Sequence, residues 1–306
     1  MDSTTATPAT AGVGLPRLGI PVRRIAGRDV DFAREVAVMA VVNRTPDSFF
    51  DRGATFALDA AVAAAHRAVT DGADWVDIGG AKFAPGPAIP VAVEIDRVVP
   101  VIEAMRGTGV VISVDTFDPD VAKAAIRAGA HVINDTTGIH DPRMARVVAD
   151  SDATLVITHS LARPRTPYPV PEYDDVVGEV GAFLRARVQR ALENGIPEAR
   201  LVIDPGHDLN KNTRHSLDLS RRLAEITALG LPTLVAVSNK DFIGETLDRD
   251  RDHREAGTLA AIVFCVLHGA RIVRVHNVPA AVDAVRMTEA MLGFREPAYL
   301  RHNTAR

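Results

Sequence analysis

Residues 36–42 read Val36-Ala37-Val38-Met39-Ala40-Val41-Val42, and the polar stretch Asn43-Arg44-Thr45-Pro46-Asp47-Ser48-Phe49 follows at once. The run is apolar at successive positions, not alternate ones, which is the pattern of a parallel strand covered by helices. Residues 57–71 then read ALDAAVAAAHRAVTD, an Ala-rich amphipathic stretch that stops at Asp71-Gly72. A second apolar run, Trp75-Val76-Asp77-Ile78, ends in Gly79-Gly80. Strand, helix and strand in this order form one unit of an α/β fold.

The unit repeats along the chain. Further β-branched runs lie at 110–114, 131–133, 154–157, 201–203, 233–237 and 272–275. Helical patterns lie at 95–105, 119–128, 142–149, 176–194, 217–228, 255–268 and 280–292. Several close on or near a glycine: Gly72, Gly107, Gly129, Gly195, Gly230, Gly269 and Gly293. That is the habit of a helix C-terminus, where a left-handed residue ends the last turn. Eight such units predict a (β/α)8 TIM barrel. A doubly wound open sheet is the competing arrangement, but no Gly-x-Gly-x-x-Gly follows the first run. No break in composition marks a second domain, so residues 15–306 are expected to form one barrel. Residues 15–34 are expected to form a short hairpin or lid at its base. Residues 1–14, rich in Thr, Ala and Pro, are expected to be a disordered tail.

Composition excludes several classes of function. The chain has 306 residues, 35 Lys+Arg and 39 Asp+Glu, a net charge of −4. Nothing in that balance draws it to nucleic acid or an anionic membrane. One cysteine, Cys265, allows neither an internal disulfide framework nor a multi-Cys zinc site. No apolar run approaches the roughly 20 residues of a membrane span. The N-terminal stretch lacks the basic start and apolar core of a secretory signal. A cytoplasmic protein is expected. Cys265 and Trp75 read as core residues.

In a barrel, chemistry sits where the strands end. Asn43 follows the first run and can offer an oxygen to a hard cation or an amide N–H to phosphate. Asp115, Asn134 and Asp204 follow the third, fourth and sixth runs. One such residue is commonly a helix N-cap. Three at the tips of one barrel point into the same mouth and can together grip a fused heterocycle. Ser238-Asn239-Lys240 follows the seventh run, and Lys240 can donate to a ring carbonyl or nitrogen. Arg274 and His276 end the eighth, where they can bind phosphate oxygens. His159 and His207 also follow strands, but there is no His-x-His after the first run and no His-Glu-x-x-His, so a metal hydrolase has little support. Ser48 and Ser113 lack the setting of a nucleophile elbow.

Taken together, these blocks resemble dihydropteroate synthase. The matching stretches are 42–49, Asp77-Ile78-Gly79-Gly80, Ser113-Val114-Asp115-Thr116, Ile133-Asn134-Asp135, Asp204-Pro205-Gly206, Lys240-Asp241-Phe242-Ile243-Gly244 and Arg274-Val275-His276. They keep the family's order across nearly all of the chain past the tail. The resemblance implies a homodimeric barrel that joins 6-hydroxymethyl-7,8-dihydropterin diphosphate to p-aminobenzoate, releasing pyrophosphate. It implies that Asp115, Asn134, Asp204 and Lys240 hold the pterin. It implies that Asn43, Arg274 and His276 hold the diphosphate, with Mg²⁺ at Asn43. Asp115, Lys240 and Arg274 are expected to carry the chemistry. Departure of pyrophosphate leaves a cationic pterin methylene, which a carboxylate such as Asp115 stabilises while cations offset charge on the leaving group.

The departures from the family cluster on the side of the second substrate. Where the family reads Gly-Glu-Ser-Thr-Arg-Pro-Gly, this chain reads Gly80-Ala81-Lys82-Phe83-Ala84-Pro85-Gly86. Ser-Arg-Lys becomes Ser238-Asn239-Lys240. Asp-Pro-Gly-Ile-Gly-Phe-Gly-Lys becomes Asp204-Pro205-Gly206-His207-Asp208-Leu209-Asn210-Lys211, and the usual Val of the first motif is Arg44. Loss of one charged transition-state contact typically costs roughly 10²–10³ in rate. The chain therefore resembles the divergent second paralogue of actinobacteria, with a pterin site kept and condensation weak or absent. The alternative is an active synthase in which Lys82 and Arg44 supply the missing charge. A methyltetrahydrofolate-dependent methyltransferase has only fold-level analogy behind it.

Overall fold

The computed structural model describes residues 14–45, 56–162, 164–167 and 170–303. Residues 1–13 of the expected tail (1–14), the rest of the first motif (46–55) and Tyr168 lie outside the described residues. The eight apolar runs are the eight parallel strands of a closed barrel: β3 (Ala37–Asn43), β4 (Trp75–Gly79), β5 (Val111–Asp115), β6 (Val132–Asp135), β7 (Thr154–Thr158), β8 (Leu201–Asp204), β9 (Thr233–Val235) and β10 (Ala270–Val275). β10 pairs with β3 to close the ring. The expected barrel is therefore the observed one.

Ahead of it stands the antiparallel hairpin β1 (Val22–Ile25) and β2 (Arg28–Asp31). Its two-residue turn, Ala26-Gly27, has positive φ at both positions (52° and 74°), the twist that a tight hairpin prefers. Ile25, Val30 and Phe32 pack against Met39, Trp75, Val111, Val132, Val156, Val202, Leu234 and Ile272, one residue from each barrel strand. The hairpin is thus an apolar plug in the barrel's base.

Side chains on a strand alternate between its two faces. Counting two residues from the plugged layer leads from Trp75 to Asp77, from Val132 to Asn134, from Val202 to Asp204 and from Ile272 to Arg274. Four residues from Val111 is Asp115, and from Met39 is Asn43. The same inward face is apolar at the base and polar at the mouth. The intervening residues, among them Val76, Ile78, Val114, Ile133, Ile203 and Val273, form the outer core against the helices.

The helices are α1 (Leu58–Thr70), α2 (Val91–Met105), α3 (Pro119–Ala128), α4 (Arg143–Ala149), α5 (Val176–Glu193), α6 (Thr213–Arg221), α7 (Leu223–Thr227), α8 (Asp241–Leu247), α9 (Glu255–Leu267) and α10 (Val278–Met291). Two features depart from the sequence reading. The stretch expected as one helix at 217–228 starts earlier and breaks at Arg222, whose guanidinium is held by Asp175 and Glu225. The seven-residue α8 was not expected. Cys265 and Trp75 are buried as expected, and burial pushes the Cys265 thiol up to about 12. Among the described residues, no helix is long and apolar enough to cross a membrane.

Candidate functional site

The centre of the mouth is Asp77, fully buried on β4. Its carboxylate accepts from Ser113 Oγ (2.6 Å), Asn134 Nδ2 (3.0 Å) and Arg274 Nε (2.6 Å). Arg274 Nη2 also donates to Asp115 Oδ2 (3.0 Å). The network therefore ties four strands together: it brings two predicted residues, Asn134 and Arg274, onto one uncounted carboxylate, and joins a third, Asp115, through Arg274. The signal for Asp77 was present in the sequence: a lone charge inside an apolar run, two positions from an inward-facing Trp.

Two carboxylates sharing one guanidinium in a dry site leave excess negative charge. Burial raises the pKa of Asp115 above the ordinary carboxylate range. Arg274 opposes the shift, and the Asp77 charge adds to it. Burial raises Asp204 to about 6, against the pull of the Gly206 N–H and of Lys240, Lys211 and Arg274. Asp204 Oδ1 accepts from the Gly206 N–H (2.7 Å). Asn134 Oδ1 is buried and has no partner. A buried acceptor left unpaired is costly unless a ligand supplies the donor. The Lys240 ammonium makes no hydrogen bond among the described residues and acts on Asp204 through its charge. Buried acceptors with an ammonium nearby suit a flat heterocycle with N–H groups and a ring carbonyl.

Asn43 and His276 stand at the ends of β3 and β10. Asn43 pairs in register with Gly79, which pairs with Asp115. A Cβ at Gly79 would lie 2.6 Å from Asn43 Oδ1, so only glycine lets that amide lie across β4. His276 Nδ1 lies 3.0 Å from Ser238 Oγ, which also accepts the His276 backbone N–H (3.3 Å). When the Ser238 hydroxyl donates to Nδ1, the ring proton stands on Nε2.

The altered loops are built into the fold by new contacts. Asp208 and Asn210 stand where the family has glycines, and both keep a left-handed backbone (φ 63° and 52°). Asp208 Oδ2 accepts the Asp241 N–H (2.8 Å) at the start of α8, and Asn210 Oδ1 accepts from Ser160 Oγ and the Leu161 and Ala162 N–H groups (2.9 Å each). Lys211 is buried and donates to Gly206 O, Leu209 O and His159 Nδ1 at 2.9–3.0 Å. Burial pulls its ammonium down to about 7 and keeps His159 neutral, an acceptor for Lys211.

Arg44 lies outside the mouth network. Its guanidinium donates to Phe56 O (3.0 Å), Asp96 O (2.7 Å) and Arg97 O (3.2 Å). Pro100 lacks the N–H that would normally reach Asp96 O, so Arg44 completes α2 there. The loop after β4 is fastened by Arg165. This side chain donates to Ala84 O (2.9 Å) and Pro87 O (2.9 and 3.1 Å), and its own N–H donates to Phe83 O (3.0 Å). Below the loop, the buried Glu94 accepts from Thr116 Oγ1 (2.6 Å), and burial raises its carboxyl to about 7. Sequence reasoning named neither Glu94 nor Arg165, since each acts through partners distant in the chain.

A family model described as pterin binding enzyme matches residues 39–276. The chain is similar to the inactive dihydropteroate synthase 2 of Mycobacterium tuberculosis, 46% identical over 280 residues, 89% of this chain and 88% of the relative. It is similar to the dihydropteroate synthase of Escherichia coli, 38% identical over 261 residues, 85% of this chain and 93% of the relative. Among solved structures it resembles Xanthomonas albilineans dihydropteroate synthase with 4-aminobenzoic acid, with a TM-score of 0.81 and 41% identity over 89% of this chain and 98% of that one.

Proposed function

The chain belongs to the pterin-binding enzyme family, and from that membership we propose that it holds a pterin or pterin diphosphate in the barrel mouth while condensing it with p-aminobenzoate weakly or not at all. One observation carries the reading: the Asp77-centred network holds Asn134 and Arg274 at the mouth and leaves Asn134 Oδ1 buried without a partner. Asn134 and Asp204 would accept from the pterin's amino and ring N–H groups. Lys240 would donate to its carbonyl or ring nitrogen. Asn43 and His276 face the side where the diphosphate would lie, and Arg274 links the two halves through Asp115.

Should the reaction run, the methylene C–O bond breaks and pyrophosphate leaves with the electron pair. The amine nitrogen then forms the new C–N bond and loses a proton. Asp115 would lower the energy of the methylene cation. Weak turnover is supported by the loss of Ser-Thr-Arg from the loop after β4, by Arg165 fastening that loop, and by Arg44 donating to the backbone of α2. The resemblance to a protein named as inactive points the same way.

Among the described residues, no group of three or more His, Cys, Asp or Glu could hold a metal ion. A single amide oxygen, Asn43, fits a Mg²⁺ ion that arrives on a diphosphate and keeps its waters. Such an ion would offset charge on the leaving group. A homodimer is also proposed. Exposed Ala256, Ala260 and Phe264 on α9 recur every four residues, and Met287 and Met291 on α10 are 61% and 65% exposed, an apolar face suited to a second copy. Sedimentation at micromolar concentration tests it.

The deciding experiment titrates the full chain with 6-hydroxymethyl-7,8-dihydropterin diphosphate by calorimetry and assays the same sample with Mg²⁺ and labelled p-aminobenzoate. Binding without product is expected. Absence of binding overturns the pterin site, and product at an ordinary synthase rate overturns the loss of condensation in favour of an active synthase.

A further inference from the structure

The base of the barrel, at the far end from the mouth, holds a cavity of about 240 Å³ between β2, the starts of β3 and β4, and the end of α10. None of the residues assigned to the pterin or the diphosphate lines it. Its wall carries four arginines, Arg28, Arg34, Arg286 and Arg295, against three carboxylates, Glu35, Asp74 and Glu289. The two inner carboxylates are already engaged. Asp74 accepts from Arg286 Nη2 at both oxygens (2.9 and 2.7 Å) and from the Val38 N–H (2.9 Å). Glu289 accepts from the Val36 N–H (2.8 Å), Arg286 Nη1 (3.2 Å) and Arg295 Nε (3.1 Å). Arg28 and Arg34 are exposed, and among the described residues neither pairs with a carboxylate. Their guanidiniums reach only the carbonyls of Asp74 and Gly293, each at 3.5 Å, too long for a firm hydrogen bond.

A further cation stands behind the wall. Arg271 is the extra residue of a bulge on β10, since Ala270 pairs with Thr233 and Ile272 with the next residue, Leu234. A bulge re-aims a side chain. The Arg271 guanidinium lies 5.7 Å from the centre of the Phe294 ring, which lines the cavity. Arg271 is 3% exposed, its Nε is buried without a partner, and its Nη1 donates to the Ala270 carbonyl (2.8 Å). Burial pulls it down to about 10, and no carboxylate opposes the shift. A buried charge without a counter-charge is costly, and in a medium of low dielectric its field favours an anion nearby. Trp75 Nε1, in the cavity wall, is a second buried donor without a partner. The base is therefore rich in donors and positive charge and short of acceptors. The two buried donors are closed off from the cavity, so Arg28 and Arg34 supply the contacts and Arg271 acts through its field.

We propose that this cavity binds the phosphate group of a small molecule between Arg28 and Arg34, at a site separate from the barrel mouth. Two unpaired guanidiniums match the charge of a dianion, and each can grip phosphate oxygens in bidentate fashion. Seated there, the anion ties β2 and the chain after it to the end of α10. The proposal does not rest on the pterin reading, since no mouth residue takes part.

Glycerol phosphate and inorganic phosphate are the probes, and glycerol is the neutral control. Trp75 is the chain's one tryptophan and lines the cavity, so its fluorescence reports on the base. A saturable change in the millimolar range is expected with the two phosphates and none with glycerol. Tighter binding of glycerol phosphate assigns the site to a phosphomonoester, and affinity no better than that of inorganic phosphate assigns it to the free ion. Arg28→Ser combined with Arg34→Ser should weaken both by roughly tenfold or more. Amide exchange on the unaltered chain separates the base from the mouth: the proposed site slows exchange in residues 28–37 and 291–295. No change at Trp75, an equal change with glycerol, unchanged affinity in the double variant, or protection confined to the mouth overturns the proposal. The exchange measurement decides the matter even if the double variant does not fold.

Discussion

Arg274 Nε donates to Asp77 Oδ2 over 2.6 Å at the centre of the barrel mouth, linking the last strand of the ring to the second. Asp77 is fully buried and also receives Ser113 and Asn134. Removing one partner of a buried ion pair leaves an uncompensated charge. Asp77→Ala should therefore destabilise the fold by about 3–5 kcal/mol. Asp77→Asn keeps an acceptor and should cost less, about 1–3 kcal/mol. Urea unfolding of both variants measures the difference, and equal losses would contradict a role for the charge.

Glu94 works against stability when it ionises. Its carboxyl titrates at about 7 in the folded chain, against an ordinary 4.5. Between those values the folded state binds more protons than the unfolded one, so stability falls as pH rises from about 4.5 to about 7. The shift corresponds to a loss on the order of 3 kcal/mol, complete above pH 7. Glu94→Gln cannot ionise, and its carbonyl can still accept from Thr116. The variant should be more stable than the parent at pH 8 and no more stable at pH 5. Thermal unfolding at the two pH values checks this, and a pH-independent difference refutes it.

Asp204 gives the pterin site a pH dependence of the opposite kind. Its carboxylate, the form that accepts ligand N–H groups, is lost as pH falls through about 6. Pterin affinity should hold above that value and fall by up to about tenfold per pH unit below it. Asp204→Asn should bind more weakly at pH 7.5 and show a flatter profile. Calorimetry with a non-reactive pterin across this range is the measurement. A parental profile as flat as the variant's would show that the carboxylate does not accept from the ligand.

The barrel and the tip residues were legible because both depend on short sequence distances. An apolar run reports a strand covered on both sides, and the next polar residue reports its tip. The same burial hides the alternation, so Asp77 looked like part of the run when it faces inward beneath Arg274. Helix α8 was hidden for a different reason: its N-terminal N–H is capped by Asp208, 33 residues away. In the sequence, Arg44 and Lys82 stand as charges able to replace a lost arginine. A charge in the sequence does not reveal that Arg44 reaches Asp96 O, an acceptor set free by a proline in α2.

Arg165 is the remaining long-range contact, and it bears on the loop that departs most from the family. Its side chain donates to backbone carbonyls of residues 82–87, so one residue from beyond β7 holds the loop at several points. Hydrogen bonds of this kind contribute about 0.5–1.5 kcal/mol each, and some are partly exposed. Arg165→Ala should leave the barrel's unfolding almost unchanged, because the strands and plug are untouched. Amide exchange within 82–87 should accelerate by roughly 10- to 100-fold. Pterin affinity should change little, since Asp77, Asn134 and Asp204 lie on strands. No synthase activity should appear, because freeing the loop restores neither the Ser-Thr-Arg hydroxyls nor its guanidinium. Exchange mass spectrometry alongside the labelled-aminobenzoate assay tests both halves. Unchanged exchange would show that the loop is held by other contacts, and new product would show that the Arg165 clamp, not the lost residues, suppresses condensation.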